Sequence, residues 1–371
     1  MNVVSRALAG AKSVVTNPTE RRLYLARLSW LAGGSAAPAW SLEYRRGLTG
    51  RFSPKVERFQ EQGEEVRHCP GDCEANAPLS HLYEQRYTYQ ISNTVVNSTS
   101  GAPIMRGTSG SPFFVRESIS WPFESIVSHG LDIPEQRQVG LNLTQLTFVF
   151  PSTANYYHWL VEELPLLLRT RELPGDVLVA VSANSVTEKH YFVAEQLGIS
   201  LKLVPQVISL SQQIMPGRAS DSWFIHPGDQ TALFAFGRIA TKNFSPSEST
   251  KIYVSRKNSK RALAGEDQLE DLLRSEGFFI AHLESMAWRD QISLFQGAEV
   301  VVGPHGAGLA NLVFTNPKAL VIELINGYHY NRCFEWICHM AGHSYKKIDV
   351  DSDNADLLPN QLAQQILTYL K

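Results

Sequence analysis

Cysteine is scarce in this chain, with four among 371 residues. Cys69 and Cys73 lie in "HCPGDC", and Cys333 and Cys338 lie far off in a helix-like stretch. Two distant pairs make no disulfide framework, and free thiols in a reducing compartment fit them better than a zinc site built with His68. Long apolar runs are missing too, so no spanning helix is expected. Charge of one sign is also lacking: 34 basic residues meet 36 acidic ones, for a net charge of −2. That balance argues against a nucleic-acid partner held by a bulk basic field. The N-terminus lacks the compact apolar core and cleavage site of a secretory signal, so a cytoplasmic location is the expectation. Residues 1–30 carry Arg6, Lys12, Arg21, Arg22 and Arg27 against Glu20 alone. They read either as a basic leader or as an interfacial helix touching the inner membrane surface.

The chain is 43% hydrophobic, enough for a sizeable core. Residues 1–55 read as an irregular basic lead-in, its part over 33–55 rich in Gly, Ala, Ser, Pro and Arg. Over 56–246 the pattern suggests an α/β domain with added strands, from "YTYQIS", "PFFV", "VGLNL" and "LTFVF". Between 247 and 355 the alternation becomes regular. Strands at "KIYVSR", "FFIAHLE", "EVVVG", "ALVIEL" and "YKKIDV" are separated by helical stretches, one of them with Ser285 as its expected N-cap. Parallel strands need crossover helices and are buried on both faces, so this is a doubly wound α/β unit. Residues 356–371 close the chain as a helix. No internal repeat is present.

Ligands of such sheets bind at the carboxyl ends of the strands, where helix N-termini present free N–H groups. "VVGPHGAGLANLVF" (301–314) sits at such an end, and Gly306 and Gly308 let a ligand approach the backbone. Neither the GxGxxG fingerprint nor the P-loop is met. "SRKNSKR" places Arg256, Lys257, Lys260 and Arg261 at another strand end, where they suit a diphosphate. Glu323 ends "ALVIEL", a place from which a carboxylate can accept from ribose hydroxyls. In "NYYHWLVEELP" (155–165), Asn155 is a plausible N-cap. His158 and Glu162 share a helix face, so the carboxylate can orient the imidazole for general-base work. Pro165 should end or kink that helix. Asp349, Asp351, Asp353 and Asp356 include a D-x-D pattern but read as a solvated acidic loop, and no metal site is expected.

These segments in this order resemble the family-sixty-one glycosyltransferases, and within them a bacterial polysaccharide-biosynthesis branch. The resemblance rests on "NYYHWLVEELPLLLR", "IYVSRKNSKRAL", "VVGPHGAGLANLVFTNP" and "ALVIEL", and covers roughly 140–330. It implies a GT-B-like fold, with two Rossmann-type domains facing a cleft and extra β structure in the first. It further implies inverting transfer of a sugar from a nucleotide-sugar, commonly a UDP-sugar, to a saccharide or lipid-linked saccharide acceptor, with no cofactor and no metal. By the resemblance, Arg256 and the H-G-A-G-L loop (His305, Gly306, Ala307, Gly308, Leu309) hold the diphosphate, with Lys257 and Arg261 beside them. Glu323 takes the ribose and His158 faces the acceptor. Asn155, Tyr157 and Trp159 are the acceptor-side candidates. The family often has Asn before Glu after the basic loop; here Gly265 stands in that place. A nucleotide-sugar epimerase of similar fold and a non-catalytic nucleotide-sugar-binding protein are the competing readings.

Overall fold

The computed structural model describes residues 56–60, 67–68, 81–82, 87–99, 101, 103–106, 112–113, 139–171, 175–217, 220, 224–244, 249–326, 331–350 and 358–371. The basic lead-in over residues 1–55, Cys69 and Cys73, and Asp351, Asp353 and Asp356 lie outside them.

Two sheets organise the described chain. The first contains β1 (Val56–Gln60), β4 (Tyr87–Asn97), β5 (Pro103–Arg106), β6 (Pro112–Phe113), β7 (Leu141–Val149), β8 (Leu178–Ser182), β9 (Leu201–Val204) and β10 (Val207–Pro216). Its order is β6-β5-β4-β10-β7-β8-β9, with β1 also on β4, while β2 (Arg67–His68) and β3 (His81–Leu82) form a separate ladder. β10, β7, β8 and β9 run parallel to one another, whereas β4 joins β10 antiparallel. The sequence gives little sign of β10. "VISLSQQIMP" has polar residues inside a strand that is flanked by neighbours on both sides, where Gln213 is buried and accepts from Thr94 Oγ1 at 3.1 Å.

The second sheet is wholly parallel, in the order β12-β11-β13-β14-β15. Its strands are β11 (Lys251–Val254), β12 (Phe279–Ala281), β13 (Val300–Pro304), β14 (Leu320–Asn326) and β15 (Ser344–Val350). From β11 the chain steps outward to β12, then returns across β11 to β13. Connections therefore leave β11 and β13 in opposite directions, and their carboxyl ends bracket a topological switch point.

Alternation along the strands divides the apolar residues between two layers. Ile252, Val254, Val301 and Val321 face the larger core, while Tyr253, Val302 and Ile322 face the other side. That second layer holds α4 (Glu266–Ser275) and α7 (Leu358–Thr368), through Leu269, Leu273, Leu362 and Ile366. The closing helix is thus packed on this sheet.

The larger core does not stop at either sheet. It joins Phe148 and Phe150 of the first half to Leu309, Phe314 and Phe334 of the second. Between them pass α1, α3 (Pro227–Ala240), α5 (Trp288–Gly297) and α6 (Cys333–Ala341). α1 begins as Tyr156–His158, widens into a π-helical turn over Trp159–Glu163 and resumes as Leu164–Thr170. Of the end or kink expected at Pro165, the helix does not end: a π-helical turn lies just before the proline and the helix runs on past it. Leu164 N–H reaches back to the Trp159 carbonyl, five residues away, and the wider turn accommodates the proline that follows. Nor does Ser285 cap α5. It closes a short 3-10 turn, Leu283–Ser285, and Ala287 holds the cap position.

Candidate active site

A cavity of about 930 Å³ opens at the switch point. Arg256 after β11, Pro304 at the end of β13, and Gly306, Ala307, Gly308 and Leu309 after it line the cavity. Tyr156 of α1 faces it from the first half, as does Lys189 from the first turn of α2 (Glu188–Leu197). The two anion-friendly loops expected from sequence therefore meet at one place.

Their contact explains a glycine. Gly306 has φ 171° and ψ 167°, an extended conformation open to any residue. What excludes a side chain is space: a Cβ there would lie 2.6 Å from Arg256 Cζ. Arg256 crosses this bare backbone, and its Nη1 donates to the His305 carbonyl. Burial lowers the Arg256 pKa first, and the charge of Arg261 adds to that, while Glu266 works against both.

Glu266 organises the loop beneath. Its Oε1 accepts from Arg256 N–H at 2.8 Å and Tyr253 O–H at 3.0 Å, and its Oε2 from Leu263 N–H at 3.0 Å. The preceding Gly265 has φ 69°, a left-handed conformation that Asn also tolerates better than most residues. Lys257 and Arg261 are exposed and outside the cavity lining, and Lys257 Nζ pairs with Asp267.

Glu323 has other work than the ribose contact expected of it. Its side chain is fully buried, and its two oxygens receive His305 Nδ1 and Tyr345 O–H, each at 2.5 Å. The carboxylate fixes the imidazole of His305, whose ring also meets Phe334 edge-on at 5.1 Å between centroids.

A second histidine–carboxylate pair stands on α1. His158 Nδ1 and Glu162 Oε1 are 2.5 Å apart, both largely buried. Asn155 caps the helix, accepting from Tyr157 N–H at 3.0 Å. The Tyr157 ring touches His158 on one side and Phe334 on the other, at 5.4 and 5.7 Å. The two pairs thus flank one aromatic contact, off the wall of the 930 Å³ cavity. Trp159, by contrast, is a core residue. It is 2% exposed, donates to His190 Nε2 at 3.3 Å, and packs on Trp288 at 5.2 Å.

Several residues that build the site carry no motif. Glu266, Lys189, Phe192, Phe244, Trp288 and Arg289 converge only through the crossovers, and nothing in their spacing announces it. Cys333 and Cys338 are buried free thiols. Among the described residues no group of three or more His, Cys, Asp or Glu is placed to hold a metal, and no helix is long and apolar enough to cross a membrane.

The arrangement is an open parallel sheet with cations and glycine backbone at its switch point, and comparison with known proteins finds its likeness among glycosyltransferases. The family model of Glycosyltransferase 61 matches residues 156–322, from the first turn of α1 into β14. The chain is similar to a beta-1,2-xylosyltransferase of Arabidopsis thaliana, 28% identical over 89 residues, which is 24% of this chain and 16% of that protein. It is also similar to beta-1,2-xylosyltransferase RCN11 of Oryza sativa subsp. japonica, 34% identical over 70 residues (19% and 13%). The EGF domain-specific O-linked N-acetylglucosamine transferase of Drosophila melanogaster is 26% identical over 117 residues (30% and 22%). The matched stretches thus span less than a quarter of each relative's length, and these relatives come from plants and an insect.

Proposed function

We propose that this chain is an inverting glycosyltransferase that takes a nucleotide-sugar, a UDP-sugar, in the cavity at the switch point. The observation that carries the reading is the meeting of Arg256 with the bare backbone of Gly306 on the wall of one cavity. The sugar passes to a hydroxyl of a glycan or glycolipid, as in cell-surface polysaccharide synthesis. In this reading the halves face each other across the donor site in the GT-B manner.

The chemistry divides between the two walls. As the acceptor oxygen attacks the anomeric carbon, the bond to the nucleotide diphosphate breaks on the opposite face, and negative charge grows on the leaving phosphate. Arg256 and the first N–H groups of the 3-10 segment Ala307–Phe314 receive that charge. His158, oriented through Nδ1 by Glu162, stands off the donor cavity's wall, and it is the base of this reading for an acceptor hydroxyl that comes within reach of its other ring nitrogen. Tyr157 and Asn155 set where that ring stands.

The test is thermal stabilisation of the full chain by UDP, UDP-xylose, UDP-N-acetylglucosamine and NAD, followed by donor hydrolysis in His158→Ala. Stabilisation by UDP and at least one UDP-sugar is expected, with turnover reduced about 100-fold in the variant. Stabilisation by none of these, or by NAD alone, sinks the transferase reading. Unchanged turnover removes His158 from the base role.

A further inference from the structure

The donor reading uses the strand-end side of the cavity and leaves another part of its wall without a role. That part comes from the first turns of α2 and α5, which supply Lys189 and Arg289, together with Phe192 and Phe244. Arg289 is held between two rings, its guanidinium carbon 5.0 Å from the centroids of both Phe192 and Phe244. Its Nε is buried without a hydrogen-bond partner among the described residues. Lys189 Nζ stands 5.7 Å from the centroid of Tyr156. No described carboxylate pairs with either cation.

Three acids share the cavity wall, and each is accounted for. Glu284 accepts from Asn258 Nδ2 at 2.7 Å, which lowers its pKa. Glu188 and Asp290 are exposed first-turn acids, where they complement the helix dipoles. Arg289 and Lys189 therefore stand on a ring-lined surface with no carboxylate bonded to either of them. A guanidinium stacked between rings keeps its N–H edge in its own plane, the geometry that grips a carboxylate or phosphate with two hydrogen bonds. Phe244, 45% exposed, offers an apolar face against which a sugar ring can lie. The cavity is near the top of the roughly 300–1,000 Å³ range of small-ligand sites, so a saccharide fits beside the donor.

We propose that Arg289 and Lys189 form a second anion seat that takes a carboxylate or phosphate carried by the saccharide acceptor. The assignment to an acceptor rests on the donor lying at Arg256 and Gly306.

Calorimetric titration of the full chain, with and without UDP, by glucose, glucuronate and glucose 6-phosphate tests it. An anionic sugar is expected to bind about tenfold tighter than glucose, and Arg289→Gln and Lys189→Gln are each expected to bring that ratio near one. The stronger of the two anionic sugars tells carboxylate from phosphate. Equal affinity for all three sugars, no binding of either anionic sugar, or a preference that survives both substitutions overturns the proposal. So does a variant that loses UDP while keeping its sugar preference, because the cations then belong to the donor. Lys189 meets one ring where Arg289 meets two, so Lys189→Gln keeps the test open if Arg289→Gln unfolds. If the unsubstituted chain fails to bind UDP, the donor reading falls, while the titrations without UDP still decide whether the seat exists.

Discussion

A methyl group added at Gly306 has nowhere to go except into the guanidinium of Arg256. The backbone there is extended, so alanine fits its dihedral angles and only Arg256 must move. Gly306→Ala is therefore expected to weaken UDP binding about tenfold with little change in melting temperature, measured by calorimetry and a thermal scan. A large loss of stability with UDP affinity intact would mean that the glycine serves the fold instead. Tyr345→Phe probes the other side of the loop. It removes one of the two donors to a fully buried carboxylate, at a cost of roughly 1.5–3 kcal/mol in urea unfolding. It also loosens His305, so KM for the donor should rise more than kcat falls. At this scale Arg256, His305, Gly306 and His158 stand out in the sequence because each sits in a motif, and the fold brings the first three into contact. The partners of Glu323 are not legible there, because a strand-end carboxylate looks the same in sequence whether it faces a ligand or a buried histidine. Lys189 and Arg289 were invisible, since only the fold brings them to one cavity.

The segment between β11 and α4 shows how one buried side chain can set a whole loop. Glu266 accepts from Arg256 N–H, Leu263 N–H and Tyr253 O–H, tying both ends of the basic loop to the first turn of α4. Burial, reinforced by the nearby Glu266 charge, raises the Tyr253 pKa, so the phenol stays a donor. Glu266→Ala leaves three donors unsatisfied and should cost roughly 3 kcal/mol in denaturant unfolding. UDP binding should fall with it, because Arg256 loses its backbone anchor. A variant that keeps full stability would show that water replaces the carboxylate. Elements with strict periodicity, such as β11, β13, β14 and α4, were legible from sequence to within a few residues. β10 was not, because its buried Gln213 breaks the apolar pattern that marks a central strand. The π turn of α1 was equally hidden, since Pro165 signals a break and not the wider turn that absorbs it.

For the molecule as a whole, the question is how firmly the halves are joined. Trp159 of α1 packs on Trp288 of α5, and both belong to a core running from Phe148 to Phe334. Each such side chain costs about 1.5–3 kcal/mol to expose, so parting the halves through this core is far more costly than adjusting the loops above it. Tyr156 adds a polar tie, since its hydroxyl accepts from Trp288 Nε1 at 2.7 Å and donates to Asn311 Oδ1 at 2.5 Å. Tyr156→Phe should cost roughly 1–3 kcal/mol in one cooperative transition, seen alike by fluorescence and circular dichroism. Two separate transitions would mean that the halves unfold independently. Acid attacks the same assembly at two buried histidines. Burial and the nearby Lys189 charge lower the His190 pKa to about 4, and its Nε2 accepts from the Trp159 indole, where a proton would face another donor. Burial lowers His343 to about 4 as well, against a smaller opposing effect of the Leu312 backbone. In the unfolded chain both titrate at the ordinary value near 6.5. Between pH 6.5 and 4 the unfolded state therefore binds more protons than the folded one, and stability must fall as pH drops through that window. Each histidine contributes at most about 1.4 kcal/mol per pH unit, a slope that levels off below pH 4. Urea midpoints measured from pH 8 to 4 should show this fall, and His343→Gln should remove about half of it. A flat profile over the window would mean that both imidazoles reach solvent and protonate without unfolding.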